Sequence, residues 1–239
     1  MLYGLHPIKE ALDSGKSIEK ILFQRDTTNT EVRKIAGEAA KMGIPTSKVP
    51  LVKLNKICGK NHQGIIAFQS PVQYQSVENI VPFLYDEGKM PFLLILDRIT
   101  DVGNLGAIAR SAECFGVDAL IIPNHDAAQV TPDAVKTSSG ALQKIPVCRE
   151  KNLEEVVRFL KDSGVAVYAA SEKSSTQFEE MEQNGPVALI MGAEDQGVDA
   201  KLLQLCDGLI QIPMKGSIQS LNVSVAAGIL LYEFSKKRD

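Results

Sequence analysis

Apolar runs that alternate with amphipathic stretches over residues 91–239 constrain the fold of this chain more than any other feature. Apolar strands that alternate with helices form mostly parallel sheets covered on both faces, so this part is predicted to be an α/β domain. The predicted strands are Phe92–Leu96, Ala119–Ile122, Val165–Ala170, Val187–Met191 and Leu209–Ile212. The predicted helices are Leu105–Phe115, Asp133–Leu142, Leu153–Asp162, Ala200–Leu205 and Val223–Phe234.

Residues 1–70 are predicted to form a separate, small α/β unit. Its predicted helices are Pro7–Leu12 and Glu31–Met42, and its predicted strands are Ile18–Phe23 and Gly64–Phe68. Between residues 71 and 90 the pattern weakens, and proline and polar residues flank a possible short helix. The sequence therefore predicts a small domain over 1–70, a linker over 71–90 and a larger domain over 91–239.

Charge is distributed unevenly between these two parts. The 239-residue chain has a net charge of −3. Residues 1–70 carry eleven Lys and Arg against six Asp and Glu, whereas the remainder carries fifteen against twenty-three. A basic module on an acidic body indicates binding of a polyanion, although a solvated, lysine-rich surface explains the charge on its own equally well.

The composition also excludes several classes of protein. No apolar run reaches the length of about 18–20 residues that spans a bilayer, and the first residues lack the pattern of a secretory signal. The four cysteines and three histidines show no metal-ligand spacing. We therefore expect a cytoplasmic, reduced and metal-free protein. The residues concerned are Cys58, Cys114, Cys148, Cys206, His6, His62 and His125.

The first of three candidate functional segments follows the strand Phe92–Leu96. Asn104 stands where an N-cap is expected, at the start of the next predicted helix. Arg110 lies off the apolar stripe of that helix, and its side chain leans back toward the strand ends. Taken alone, this segment is more typical of a capped helix with a surface arginine than of a site.

The second segment follows the strand Val187–Met191 and contains Gly192, Glu194 and Gly197. Its spacing is not that of a P-loop, because Val198 stands where Lys is required. The chain also lacks the GxGxxG pattern of dinucleotide-binding proteins. Glycines here admit a flat ligand close to the backbone, with Glu194 beside it. Taken alone, this segment is more typical of a simple turn with a solvated glutamate than of a ligand site.

The third segment, IPMKGSIQSLNVSVAAGILLYEF, runs from Ile212 to Phe234. Its loop contains Ser220 and Asn222 between a predicted strand and the apolar final helix, which indicates a site because a mere connection needs no such residues. Capping of the helix by Ser220, Asn222 or Ser224 explains one of the three side chains and leaves two unexplained.

Together, the three segments resemble the SpoU (TrmH) family of RNA ribose 2′-O-methyltransferases, which belongs to the SPOUT class. The family motifs N-x-G-x-x-x-R and G-x-E-x-x-G resemble residues 104–110 and 192–197, and I-P-M…S-L-N-V-S resembles residues 212–224. The segments YGLHPIKEAL and HQGIIA, at 3–12 and 62–67, resemble the family's small substrate-binding domain. One departure is Val102, where many members have proline.

The resemblance implies an α/β fold with a deep trefoil knot, preceded by the small substrate-binding domain. It also implies S-adenosylmethionine as the cofactor, a homodimer, and structured RNA as the partner. Within the family, the chain is most similar to bacterial enzymes that modify a guanosine of large-subunit ribosomal RNA. Carried over by position, the cofactor-binding residues are Gly192, Ile212, Met214 and Leu221. The implied catalytic residues are Arg110, Asn104, Glu194, Ser220 and Asn222.

Arg110 matches the family arginine proposed to activate the 2′-hydroxyl. Because guanidinium stays protonated, our interpretation is that Arg110 binds RNA phosphate and stabilises developing alkoxide charge. Three alternatives remain at this point. The substrate is alternatively transfer RNA, or the protein binds RNA without catalysis. The third alternative is a nicotinamide-dependent oxidoreductase, and the missing GxGxxG pattern argues against it.

Overall fold

A computed structural model of the chain describes residues 1–172, 185–217 and 220–238. The chain divides into two compact units, Met1–Gln73 and Tyr74–Asp239. Residues 218 and 219, in the third predicted segment, lie outside the described residues. Among the described residues, no helix is both long enough and apolar enough to cross a membrane.

The first unit has a four-stranded sheet in the order β1-β4-β2-β3, with β2 and β3 parallel and the other pairs antiparallel. Helices α1 and α2 cover one face of the sheet, and α3 packs on the other. The elements are β1 (Leu2–Tyr3), α1 (Leu5–Asp13), β2 (Ile18–Gln24), α2 (Thr30–Lys41), β3 (Thr46–Val49), α3 (Leu51–Ile57) and β4 (Ile65–Gln69).

The second unit has a seven-stranded sheet in the order β11-β9-β10-β6-β7-β8-β5, and every pair in it is parallel. The strands are β5 (Tyr74–Gln75), β6 (Phe92–Leu96), β7 (Ala119–Pro123), β8 (Val147–Glu150), β9 (Ala166–Ala170), β10 (Val187–Met191) and β11 (Gly208–Ile210). The helices are α4 (Val77–Asp86), α5 (Val102–Cys114), α6 (Pro132–Thr137), α7 (Leu153–Asp162), α8 (Ala200–Leu205) and α9 (Val223–Lys236).

The predicted parallel-sheet α/β fold is confirmed. The central strands β6 and β10 are buried at every position, as expected for a sheet covered on both faces. The trefoil knot that the family resemblance implies stays a prediction.

The structure differs from the expected linker over residues 71–90. Strand β5 pairs with β8, and α4 packs its apolar side chains into the core of the second unit. The apolar residues of α4 recur at helical spacing, and this pattern outweighs the proline and polar residues that suggested a linker. The buried side chains of α4 are Val77, Ile80, Val81 and Leu84.

Strand order brings distant segments together at the carboxyl edge of the second sheet. The chain proceeds from β6 through β7 to β8 on one side, and then places β10 directly against the other side of β6. In open parallel sheets, ligands bind beyond the carboxyl ends of strands at such a switch in direction. The loops after β6, β10 and β11 all begin at this edge.

Candidate active site

Asp97 and Arg98 join the loop after β6 to the loop after β10. The buried Asp97 carboxylate accepts a hydrogen bond from the Asp199 amide at 2.8 Å and is ion-paired with Arg98 at 3.1 Å. Arg98 adopts a left-handed backbone conformation (φ 57°) and also donates to the carbonyl oxygen of Gly197 at 3.1 Å. The hydrogen bond with Asp97 raises the pKa of Arg98. This pair fixes both loops.

The first turn of α5 presents Asn104 to the site. The N-cap is Asp101, whose carboxylate accepts from the Asn104 amide at 2.7 Å, so the prediction of Asn104 as the cap was wrong. Since Asp101 serves as the cap, the Asn104 side chain remains available for other partners. Gly106 follows on a buried part of α5, where a Cβ would lie 2.6 Å from Thr137 of α6.

The Glu194 carboxylate connects all three predicted segments. Its Oε1 accepts hydrogen bonds from Asn222 Nδ2 at 2.5 Å, Asn104 Nδ2 at 3.4 Å and the Val223 amide at 3.1 Å. Asn222 Nδ2 also donates to Asn104 Oδ1 at 3.1 Å. Asn222 caps α9, because its Oδ1 accepts from the Ser224 amide at 2.9 Å. We refer to Asn104, Glu194 and Asn222 as the amide–carboxylate cluster.

Gly192 directly follows β10, at a point where two backbone segments meet. A Cβ at this position would overlap the backbone of Gly197 and Val198. The loop returns on itself here, since the Gly197 amide donates to the carbonyl oxygen of Ala193 at 2.8 Å with Gly197 at φ 66°. No residue larger than glycine fits at position 192 in this conformation.

A cavity lies between the loops after β9, β10 and β11 and the start of α9. We call it the β10 cavity. Its wall is formed partly by the small residues Gly192 and Ala193, and partly by larger apolar residues. All four predicted cofactor-binding residues line this cavity: Gly192, Ile212, Met214 and Leu221. Ser220 and Glu194 line it as well.

A second, more polar cavity of about 500 Å³ adjoins it beyond the loop after β6, and we call it the β6 cavity. Arg98, Asp101 and Asn104 line it. The two cavities share part of their walls, since Glu194 and Val223 line both. The amide–carboxylate cluster therefore stands where one cavity meets the other.

Two predicted catalytic residues lie away from the amide–carboxylate cluster. Ser220 is exposed and lines the β10 cavity, but has no hydrogen bond to the cluster among the described residues. Arg110 is exposed on α5 and lines neither cavity. The structure thus brings together three of the five predicted catalytic residues. Asp97 and Arg98 also build the site, although the sequence analysis assigned no role to either residue. Their position directly after β6 was the available signal.

Among the described residues, no group of three or more His, Cys, Asp or Glu side chains is placed to hold a metal ion.

Burial raises the pKa of the Cys148 thiol to about 12, which keeps it protonated at neutral pH. Cys148 lies on β8, within the core of the sheet.

Comparison with known proteins shows which family this chain belongs to. Residues 91–232 match the SpoU rRNA Methylase family, and residues 1–75 match the RNA 2′-O ribose methyltransferase substrate-binding family. A TrmH family tRNA/rRNA methyltransferase of Staphylococcus saprophyticus is 36% identical over 100% of this chain and 96% of its own length. Its Bacillus subtilis counterpart is 34% identical over 99% of this chain and 95% of its own length.

Solved structures agree with these matches. The AdoMet-bound rRNA methyltransferase from Sinorhizobium meliloti is 26% identical, with a TM-score of 0.63 over 98% of this chain and 86% of that one. The SpoU methyltransferase AviRb from Streptomyces viridochromogenes shares the fold at 24% identity, with a TM-score of 0.62 over 99% of this chain and 89% of that one.

The fold agrees with that of a solved rRNA methyltransferase, the relatives match along the whole chain, and both family models match. The protein is therefore a methyltransferase that acts on RNA. One family match covers more than half of the residues. The chain belongs to the SpoU rRNA methylase family.

A Glu194→Gln variant is expected to transfer methyl groups about ten- to a hundredfold more slowly. The amide keeps one acceptor oxygen but loses the charge that strengthens three hydrogen bonds. A bond to a charged group contributes about 1.5–3 kcal/mol against about 0.5–1.5 kcal/mol for a neutral one, and solvent exposure of the cluster reduces this difference. Single-turnover transfer of a tritiated methyl group measures the rate. Glu155→Gln on α7 is the matched control, since the Glu155 carboxylate accepts a hydrogen bond from Asn152 Nδ2 at 3.0 Å and lines neither cavity. Equal rates for both variants would contradict a role for the Glu194 charge.

Proposed function

We propose that this protein transfers a methyl group from S-adenosylmethionine to a ribose 2′-hydroxyl of structured RNA, most closely a guanosine of large-subunit ribosomal RNA. The observation that carries the proposal is the amide–carboxylate cluster between two adjoining cavities. Methyl transfer needs a donor and an acceptor that approach in line, and adjoining cavities allow this. The substrate-binding match over residues 1–75 supports the ribose as the target.

The β10 cavity fits S-adenosylmethionine by its chemistry. The absence of a side chain at Gly192 and the exposed backbone of the loop that follows suit close contact with a flat adenine ring. Ile212, Met214 and Leu221 supply apolar contacts to the remainder of the cofactor. When bound, the cofactor supplies an electrophilic methyl group on a sulfonium centre.

In the proposed mechanism, the RNA nucleotide enters the β6 cavity and presents its 2′-hydroxyl toward the β10 cavity. Asn104 and Asn222 are held by Glu194 and orient the ribose. As the hydroxyl oxygen attacks, its proton passes to an RNA phosphate oxygen or to solvent. Arg110 holds that phosphate and stabilises the charge that develops on the oxygen. Ser220 contributes a hydroxyl on the cofactor side.

We further propose that the protein works as a homodimer through α9. An apolar stripe on this helix is solvent-exposed in the single chain: Val225, Ile229 and Tyr232 are 50%, 39% and 49% exposed. Residues at this spacing lie on one helix face, and such exposed apolar patches mark interfaces. Arg110 is exposed on α5, which packs against α9. A dimer through this face brings Arg110 to the edge of a site that it does not reach within its own chain.

Ile229→Glu is expected to convert the dimer to monomers, because the new carboxylate would be buried without a partner. Sedimentation velocity measures the mass, and methyl transfer should be lost with the dimer. Phe83→Glu is the control, since Phe83 is 56% exposed on α4, away from this stripe. A wild-type monomer that is fully active would refute the proposed dimer.

The proposed activity is tested by incubating the protein with tritiated S-adenosylmethionine and RNA from cells that lack its gene. Large-subunit ribosomal RNA should be labelled, and mapping should place the label on one ribose 2′-oxygen. Transfer RNA is the second candidate substrate, because the relatives are described as acting on either RNA. Label on a base, or on neither RNA, would refute the proposal. A ribosomal or transfer RNA substrate agrees with the proposed cytoplasmic location.

A further inference from the structure

The two faces of the sheet in the first unit are covered unequally. On one face, α1 and α2 bury Ile21, Ile65 and Ala67 completely. On the other face, the seven-residue helix α3 packs through Leu54 and leaves the aromatic side chains of Tyr3 and Phe68 only half-buried. We call this second surface the α3 face. It exposes two aromatic rings that a larger helix would have covered.

Each of these rings holds a lysine ammonium group. Lys60 Nζ lies 5.7 Å from the centre of the Tyr3 ring, and Lys20 Nζ lies 5.2 Å from the centre of the Phe68 ring. Tyr3 on β1 is opposite Ile66 on β4, so Phe68 is its diagonal neighbour on the same face, about 7–8 Å away. Cation–π attraction restrains the lysines, so less side-chain entropy is lost when they bind an anion.

The chain segment that contains α3 and β4 carries charge of one sign. Residues 42–77, which follow α2, contain four lysines and neither Asp nor Glu, and this segment includes all of α3 and β4. All six acidic residues of the first seventy lie before residue 39, and four of them are on α1 or α2. The basic character of the unit is therefore concentrated on the side of the α3 face.

We propose that the α3 face binds a non-duplex segment of the RNA substrate. Lys20, Lys56 and Lys60 contact phosphates, while the rings of Tyr3 and Phe68 contact unstacked bases. The inference rests on the proposed function, because it assigns the surface that holds the same RNA whose ribose is methylated.

Charge and ring geometry identify RNA as the occupant of this face. An RNA strand offers regularly spaced phosphates for the lysines and flat bases for the rings. Proteins that bind single-stranded RNA combine cationic and aromatic side chains on one surface, as the α3 face does. An acidic protein segment would satisfy the lysines, but it would leave the aromatic pair without a matching partner.

The test uses the full-length protein, with transcribed large-subunit ribosomal RNA and bulk transfer RNA as probes. The Lys56→Ala/Lys60→Ala double variant should weaken binding about tenfold at 0.1 M salt, and the salt slope should fall by about 1.4 for two lost phosphate contacts. Phe68→Leu should weaken binding about tenfold with little change in that slope, because a stacking contact releases no counterions. S-adenosylmethionine affinity and thermal melting establish that the variants are folded.

The matched control is Lys9→Ala/Lys34→Ala, which removes two exposed lysines from α1 and α2. It should leave RNA affinity within about twofold of the wild type. If the two double variants weaken binding equally, or if only the control weakens it, the α3 face is not the RNA surface. If wild-type protein binds RNA through this face but methylates neither probe, the proposed function fails and the surface assignment stands.

Discussion

A Gly192→Ala variant is expected to lose S-adenosylmethionine binding, with affinity falling at least about a hundredfold. The added methyl group would overlap the backbone of Gly197 and Val198, and backbone cannot move aside as a flexible side chain can. The loop after β10 must therefore open, which displaces the wall of the β10 cavity. Small displacements of a positioned loop are costly for both binding and catalysis.

Isothermal titration calorimetry with S-adenosylmethionine measures this loss, and circular dichroism establishes whether the variant is folded. Gly185→Ala is the matched control. Gly185 lies just before β10, and a Cβ there would meet no atom within 4 Å. The control should bind the cofactor as tightly as the wild type. Wild-type affinity in the Gly192→Ala variant would show that close approach of the backbone is not needed for binding.

An Arg110→Ala variant is expected to transfer methyl groups about a hundred- to a thousandfold more slowly, while cofactor affinity stays unchanged. Removal of one preorganised donor to a developing oxyanion typically costs this much. Cofactor affinity is unaffected because Arg110 does not line the β10 cavity. Single-turnover kinetics with saturating RNA separates the chemical step from RNA binding.

Arg110→Lys tests the geometry of this interaction. Lysine keeps the charge but lacks the planar fork that holds a phosphate through two parallel hydrogen bonds, so it should restore little of the rate. Arg158→Lys is the control, since Arg158 forms an exposed ion pair with Glu154 on α7. Near-wild-type turnover of Arg110→Lys with unchanged RNA affinity would contradict bidentate positioning.

Local pattern was sufficient for the central strands of the second unit and insufficient at the edges. The predicted strands Phe92–Leu96 and Val187–Met191 have the bounds found in the structure, because their residues are all apolar and all buried. Strand β8 (Val147–Glu150) was missed. Half of its residues are polar, and it forms because β7 and β5 pair with it on either side.

The segment 62–67 shows how a motif can be noticed without its role being apparent. Its likeness to the family was visible in the sequence, but its contacts are structural. The buried His62 accepts from the Gly64 amide through Nδ1 at 3.0 Å, and its Nε2 lies 2.8 Å from Asn55 Oδ1 on α3. Gln63 accepts from the Leu5 amide at 3.0 Å, at the start of α1. These bonds join segments whose proximity no local pattern encodes.

The sequence by itself determined the α/β class, the basic first unit and the residues that carry the three motifs, because apolar periodicity and residue chemistry are local properties. Only the tertiary structure decided how those residues combine. Asn104 and Asn222 are 118 positions apart, yet both hydrogen-bond to Glu194. They meet because β10 pairs with β6, and such pairing depends on long-range packing. The same packing leaves Arg110 outside both cavities, which points to a second chain for a complete site.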